Sequence, residues 1–354
     1  LYLGSALLPE NNQPVAGRGL VSVHNGILVN VDALWQNNPE LTRHAEVDTE
    51  AFVALMEAYR AQGSLEHALR KTYREISGMA STLNLYAASG QFAAATNNGS
   101  LYYVFSRSGK SAAFASESLT LARLIRDHAA AKRLFDPADI RQLRAGDALL
   151  LSLESMEQTS FRLTSEDTAN EAGALAPVTI SIDQDPSPQT PKSPTPEILP
   201  AQRYKAFEID QTPIMRIRRC TRCVLPETMP FIEFDDEGVC NYCRTYEKEH
   251  VHGEAEIRAW ADSVRGDGSK ADSIVSFSGG RDSSYGLHYF VRELGLNPVA
   301  FTYDWGMVTD LARRNQARMC AQLGVELVLV SADIKQKREN IRKNVSAWLK
   351  KPDL

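Results

Sequence analysis

No apolar run in these 354 residues approaches the roughly 18 that a membrane span requires, and no secretory-type apolar segment opens the chain. The expected compartment is therefore the cytoplasm, and no membrane partner is expected. Basic charge is also in short supply. The 39 Lys and Arg face 44 Asp and Glu, for a net charge of -5. A protein that coats nucleic acid needs the opposite balance, so nucleic acid is not an expected partner. Cysteine is sparse, with five residues and none before Cys220. Four of the five fall in two tight pairs, a spacing that favours a metal over disulfides in a reducing compartment. An initiating Met is absent. Leu1 enters within the patterned "LYLGSALLPENNQPV", and "WLKKPDL" follows a helical pattern, so the sequence reads as cut at both ends. The remaining composition is that of ordinary globular protein, 43% hydrophobic and 23% charged, long enough for two or three domains.

Apolar residues are nearly missing from "DQDPSPQTPKSPTPEILP", residues 183–200, which carries six of the sixteen prolines. Such a segment cannot offset its ordering entropy by burial, and it reads as a tether. Before it, "GLVSVHNGILVNV" reads as two short strands around Asn25-Gly26. "DTEAFVALMEAYRAQG" reads as a helix with Phe52, Leu55, Met56 and Tyr59 on one face, stopped by Gly63. A second helix starts after Ser64, a candidate cap. "TLNLYAAS", "QFAAATNN" and "LYYVFSRS" read as a strand meander with Asn98-Gly99 as a hairpin turn. This order suggests a layered α+β unit. After residue 250, "SIVSFS", "PVAFTYD" and "VELVLVSAD" alternate with helical patterns that end at Gly295 and Gly324. Strand-helix alternation of this kind means a parallel sheet.

The turn after "SIVSFS" has glycines and serines but no lysine behind them, so it is not a GxxxxGK[ST] phosphate loop. Ser276, Ser278, Gly279, Gly280, Arg281, Asp282, Ser283 and Ser284 nevertheless place permissive backbone and hydroxyls at a helix start, where an anion is held. A plain Gly/Ser turn without nucleotide is the alternative. Ser278 to Ser284, SGGRDSS, resembles the SGGxDS[ST] signature of PP-loop ATP pyrophosphatases. The resemblance implies that the loop grips the pyrophosphate of ATP while AMP passes to a substrate oxygen, with Asp282 helping to place Mg²⁺. Tyr303, Asp304 and Gly306 of "TYDWG" stand at the next strand's carboxyl end and are candidates for the adenosine site.

Cys220-x2-Cys223 and Cys240-x2-Cys243 are separated by sixteen residues. Each pair sets two thiolates on a knuckle, and two knuckles complete a tetrahedron, so a closed structural zinc site is expected. An iron–sulfur cluster and unligated thiols remain alternatives, and Cys320 reads as a buried small apolar residue. "CTRCVLPETMPFIEFDDEGVCNYC" followed by "FSGGRDSSYGLH" and "YDWGMVTDLARRN" is similar to the N-acetyl sugar amidotransferase family of surface-glycan (lipopolysaccharide and flagellin-glycan) biosynthesis.

Near the start, "VHNGILVN" followed by "DTEAFVAL", and later "FASES", resembles class II (Ntn) glutamine amidotransferases. That likeness implies an αββα layered fold. It further implies an oxyanion hole from the Asn25 side chain and the Gly26 N–H, and glutamine held by Asp48 and Gly26. A plain hairpin at Asn25-Gly26 and a helix N-cap at Asp48 are the structural alternatives. The family's N-terminal cysteine nucleophile, and the arginine that holds the glutamine carboxylate, have no counterpart in the opening segment.

Together the readings predict four segments. Residues 1–182 form an amidotransferase-like domain, 183–212 a linker, 213–250 a zinc-binding segment, and 251–354 an incomplete PP-loop (HUP-like) α/β domain. The expected activity is glutamine- and ATP-dependent conversion of an acetamido group of an N-acetyl sugar to an acetamidino group, with ATP, Mg²⁺ and structural Zn²⁺, in a chain that could self-associate. An asparagine-synthetase-like ligase, an RNA-modifying PP-loop thiolase and a non-catalytic scaffold are the rival readings.

Overall fold

The computed structural model describes residues 9–87, 89–164 and 212–350. The tether expected at 183–200 lies outside them. In chain order the strands are β1 (Val15–Ala16), β2 (Leu20–Leu28), β3 (Gly78–Tyr86), β4 (Gln91–Thr96), β5 (Tyr102–Phe105), β6 (Ala112–Ala115), β7 (Arg141–Gln142), β8 (Asp147–Ser152), β9 (Gln158–Arg162), β10 (Ser273–Ser276), β11 (Pro298–Asp304) and β12 (Leu327–Ser331). The helices are α1 (Val31–Asn37), α2 (Asp48–Arg60), α3 (Leu65–Glu75), α4 (Ser118–Asp127), α5 (Ala129–Leu134), α6 (Thr212–Met215), α7 (Asn241–Thr245), α8 (Glu254–Val264), α9 (Arg281–His288), α10 (Asp310–Leu323) and α11 (Ile334–Lys350). Two compact units emerge, one from Leu1–Gln189 with Trp260–Ile334, the other from Thr190–Ala259 with Lys335–Leu354.

The first unit is built in layers. Six strands in the order β1-β2-β3-β4-β8-β9 form an antiparallel sheet, and β6-β5-β7 form a smaller one. On one face of the large sheet lie α2 and α3. Phe52, Leu55 and Met56 recur at helical spacing along α2 and are buried against Leu20, Ala80, Ala93 and Ala95. Alanines along β4 let helices and strands approach closely on both faces. The opposite face of β4 and β8 presents Ala94 and Leu149 to Leu101, Leu143, Tyr103 and Phe114 near the small sheet. Val104 of the small sheet in turn packs on Leu121 and Ile125 of α4 and Phe135 after α5. The result is the expected α-β-β-α stack. Helix α3 starts where the sequence places it, since the Ser64 side chain accepts the His67 N–H at 3.1 Å.

Two turn expectations are corrected. Residues 20–28 are one continuous strand, not two strands about Asn25-Gly26. Gly26 takes φ +151° there, and a Cβ at this position would meet the Met79 carbonyl oxygen at 2.0 Å. The glycine therefore serves a close backbone approach, not a reversal. Asn98-Gly99 is likewise no hairpin between paired strands, because β4 pairs with β8 while β5 belongs to the other sheet. The Asn98 side chain is instead buried, donating to the Ser100 hydroxyl at 2.8 Å.

The same unit contains the parallel sheet, with β10, β11 and β12 neighbours in chain order. Val275, Phe277 and Ala300 bury one face against Leu287 of α9 and Ala317 and Cys320 of α10. Ile274, Phe301 and Tyr303 stand exposed on the other. Cys320 is buried, as its helical position suggests. Helix α10 also packs against the large sheet, where Met79, Ile27 and Val29 join its apolar cluster. A polar contact reinforces this. The Tyr102 hydroxyl and the Gln142 amide both donate to Glu326 before β12, at 2.7 and 3.1 Å.

In the second unit, the knuckle segment is held by bridges between Arg219 and Pro226 and between Phe234 and Cys240. The Asp235 carboxylate accepts the N–H groups of Glu237 and Val239 and so fixes the turn before the second cysteine pair.

The Gly26 contact yields a stability prediction. Gly26→Ala forces the β2 backbone away from Met79 and should cost about 3 kcal/mol in urea unfolding. An unchanged midpoint would show that the two strands separate freely.

Candidate functional sites

The first candidate site is at β2. In an antiparallel pair, alternate residues turn their N–H groups to opposite edges. The His24 N–H donates to the Gln13 side chain at 2.5 Å and the Leu28 N–H to Asp48 Oδ2 at 2.9 Å, so both face away from β3. Gly26 lies between them in this alternation and turns its N–H to the same open edge. The adjacent Asn25 side chain is exposed.

Asp48 is not the N-cap of α2. That position is Val47, and Asp48 is the first helical residue. Its carboxylate binds the Leu28 N–H and lies 3.6 Å from His24 Nδ1. The His24 ring is buried, with Nε2 3.1 Å from the Met79 carbonyl. A carbonyl can only accept, so Nε2 carries a proton and donates. Burial works to raise the Asp48 pKa, but the His24 hydrogen bond and charge and the Leu28 N–H outweigh it, leaving Asp48 below the ordinary 3.8. Nothing in the sequence pattern signals the link between His24 and Asp48. The i to i+24 spacing carries no signal; only the packing of α2 on β2 brings the two together.

The second candidate site is the loop after β10. Gly279 has φ +77°, and a Cβ there would meet the Ala312 carbonyl oxygen of α10 at 2.3 Å. Gly280 has ordinary extended backbone and serves as N-cap of α9, with no side-chain cap for the helix's first N–H groups. These uncapped donors and the helix dipole favour an anion. The Ser278 and Ser283 hydroxyls lie 2.9 Å apart beside them. Arg281 and Asp282 are exposed at the helix start. Ser284 follows in the first turn, with its N–H on the Gly280 carbonyl at 3.0 Å.

The proposed adenosine residues are split. Along β11, Tyr303 is exposed on the face that includes Ser276, whereas Asp304 is buried on the opposite face. The Asp304 carboxylate is committed to Arg313 at 2.8 Å and to the Gly306 N–H at 2.8 Å. It fixes the strand-end turn and leaves Tyr303 as the accessible candidate.

The third candidate site is the knuckle. The sulfurs of Cys220, Cys223, Cys240 and Cys243 all lie within 4.8 Å of one another. Two cross-pairs, Cys220–Cys243 and Cys223–Cys240, stand at 3.9 and 3.6 Å. Zinc–sulfur bonds of about 2.3 Å in a tetrahedron put sulfurs roughly 3.8 Å apart, so the donor set fits one such ion. Desolvation opposes ionisation of Cys220, but N–H groups of Cys223, Cys240 and Arg222 outweigh it and bring its pKa to about 6. The positive φ of Val224, +61°, is strained for a β-branched residue and lies directly after the first cysteine pair.

With the geometry in place, comparison with known families is informative for one of these sites. Residues 3–123 match the glutamine amidotransferase domain family. The matched segment contains Asn25, Gly26 and Asp48. Two solved structures are similar at 22% identity and a TM-score of 0.35. One is the glutamine phosphoribosylpyrophosphate amidotransferase of B. subtilis complexed with ADP and GMP, and the other is described as the allosteric regulatory enzyme of purine biosynthesis. Each alignment covers 44% of this chain and 33% or 32% of the other, so the chain spans about a third of those proteins. Comparison with curated proteins gave no match. No described helix is long and apolar enough to cross a membrane.

Two predictions follow from these sites. Asp48, with its pKa lowered, stabilises the fold fully above 3.8 and loses that contribution as pH falls through its folded-state value. Asp48→Asn should lower the urea midpoint at pH 7 and flatten its further fall from about pH 4 to about pH 2. At the knuckle, elemental analysis should find about one metal ion per chain. Its removal by a chelator should loosen the segment, read as faster proteolysis at residues 218–245.

Proposed function

We propose that the chain belongs to a glutamine- and ATP-dependent amidotransferase that converts the acetamido group of an N-acetyl sugar to an acetamidino group in surface-glycan biosynthesis. One observation carries this reading. A domain matching glutamine amidotransferases packs, through α10, on a parallel sheet whose first strand opens into an uncapped Ser/Gly loop.

In the amidotransferase-type domain, of Ntn class, Asn25 and the Gly26 N–H stabilise the oxyanion formed on the glutamine side-chain carbonyl. Asp48 holds the glutamine amino group. At the loop, the N–H groups around Gly279 and Gly280 and the Ser278 and Ser283 hydroxyls bind the β- and γ-phosphates of ATP, with Arg281 and Ser284 alongside. Asp282 would hold Mg²⁺, which supplies charge neutralisation for the phosphates. Tyr303 and Ser276 flank the nucleoside.

The chemistry balances as two displacements. The acetamido oxygen attacks the α-phosphorus, forming an O–P bond as pyrophosphate leaves. Ammonia then adds to the imidate carbon, and the carbon–oxygen bond breaks to release AMP. A neutral amide resists ammonia because its oxygen leaves poorly, and adenylation removes that obstacle. The four cysteines hold a structural Zn²⁺ and leave no open position for catalysis. A soluble, cytoplasmic enzyme fits this chemistry.

Ammonium salts bypass the glutaminase half and isolate the proposed reaction. With ATP, Mg²⁺ and ammonium, AMP and pyrophosphate should accumulate only when an N-acetyl sugar, free or nucleotide-linked, is present. Stimulation by aspartate or by tRNA instead would assign the chain to an asparagine-synthetase-like ligase or to an RNA-modifying enzyme. Silence towards all acceptors would leave a scaffold.

A further inference from the structure

Phe277 and Gly279 are the two loop residues whose carbonyls turn towards α10. Gln316, 2% exposed, donates its side-chain amide to the Phe277 carbonyl at 3.1 Å and to the Thr302 hydroxyl at 3.2 Å. The Thr302 hydroxyl also donates to the Phe277 carbonyl. From the preceding position of α10, the Asn315 amide donates to the Gly279 carbonyl at 3.2 Å. The helix that carries both amides is itself fixed by the Arg313–Asp304 pair and by its Thr309 cap.

A trans peptide points its C=O and its following N–H in opposite directions. Holding the Phe277 carbonyl against α10 therefore aims the Ser278 N–H away from the helix, and holding the Gly279 carbonyl does the same for Gly280. Both N–H groups meet only serine hydroxyls at a long 3.3 Å, Ser278 N–H on Ser283 and Gly280 N–H on Ser278. Two backbone donors and two hydroxyls thus converge on the open side of the loop. An incoming anion replaces weak placeholders and breaks no ladder bond.

We propose that Gln316 and Asn315 are positioning residues that set the peptide orientation of the anion-binding loop. The proposal rests on reading this loop as the pyrophosphate site. Neither amide touches the ligand. Each acts through a backbone carbonyl and keeps the donors pointing outward before any ligand arrives, which reduces the ordering cost of binding.

The test is calorimetric titration of the whole chain with inorganic pyrophosphate and Mg²⁺. Gln316→Met preserves side-chain volume and leaves Thr302 to hold the Phe277 carbonyl, so the fold should survive with an unchanged melting temperature. Its pyrophosphate affinity should fall about tenfold. Gln322→Met, exposed two turns further along α10, should bind as the wild type does. Gln316→Glu supplies a donor only when protonated, and burial raises a carboxyl pKa. Its deficit relative to wild type should therefore shrink as pH falls below about 6, a profile that a packing defect would not produce. In the ligand-free protein, Gln316→Met and Asn315→Ala should both speed amide exchange at Ser278 and Gly280 while leaving β11 protected. Wild-type binding matched by Gln316→Met would overturn the positioning role and leave the loop assignment standing. Absence of wild-type pyrophosphate binding would overturn the loop assignment itself, and the inference with it.

Discussion

The backbone of α10 lies so near Gly279 that no side chain fits between them, and the loop's shape follows from that contact. The carbonyl of Ala312 would meet a Cβ on Gly279 at 2.3 Å. Further along α10, Ala317 and Cys320 pack small side chains into the cluster that includes Met79 of the large sheet. Small residues on α10 thus serve two close approaches at once. The helix cannot be thickened on one side without displacing the loop, nor on another without displacing β3. The strand bearing Asn25 and Gly26 shares this contact, because Ile27 and Val29 pack into the same cluster. The Ser/Gly turn proposed to bind an anion and a pair of candidate oxyanion donors therefore rest on a single element.

How much of this was legible in the sequence depended on range. Helix α2 could be read from Phe52, Leu55 and Met56 because a 3.6-residue period is local. The stops at Gly295 and Gly324 could be read because a positive φ leaves a glycine behind. The parallel sheet followed from alternation, and the four-cysteine cluster from pair spacing alone. The two misread turns share one cause. Asn-Gly and Gly in a strand both signal a reversal, yet Gly26 and Gly99 answer to neighbours distant in sequence. The facing of Tyr303 and Asp304 on opposite sides of β11 was implicit in strand alternation, but adjacency in a motif obscured it. His24 with Asp48, and Gln316 with Phe277, join residues whose spacing has no period, so packing alone reveals them.

The two carboxylates most exposed to functional interpretation have different standing. Asp48 is tied to Leu28 and His24 and carries a lowered pKa, so it stays an anion across the neutral range. Asp304 spends both oxygens on its own turn and on Arg313, which suits a group that shapes the wall of a site. Burial and partner count distinguish them where residue type does not.

Cys320 shows what the α10 contact does to reactivity. Its thiol is enclosed between α10 and the sheet, and burial pushes its pKa up to about 12. The nucleophile in thiol chemistry is the thiolate, so Cys320 is spectator sulfur throughout the neutral range. The redox and alkylation behaviour of all five cysteines accordingly reduces to that of four, and a thiol-directed probe applied to the folded chain reports the state of the knuckle without interference from the remainder of the molecule.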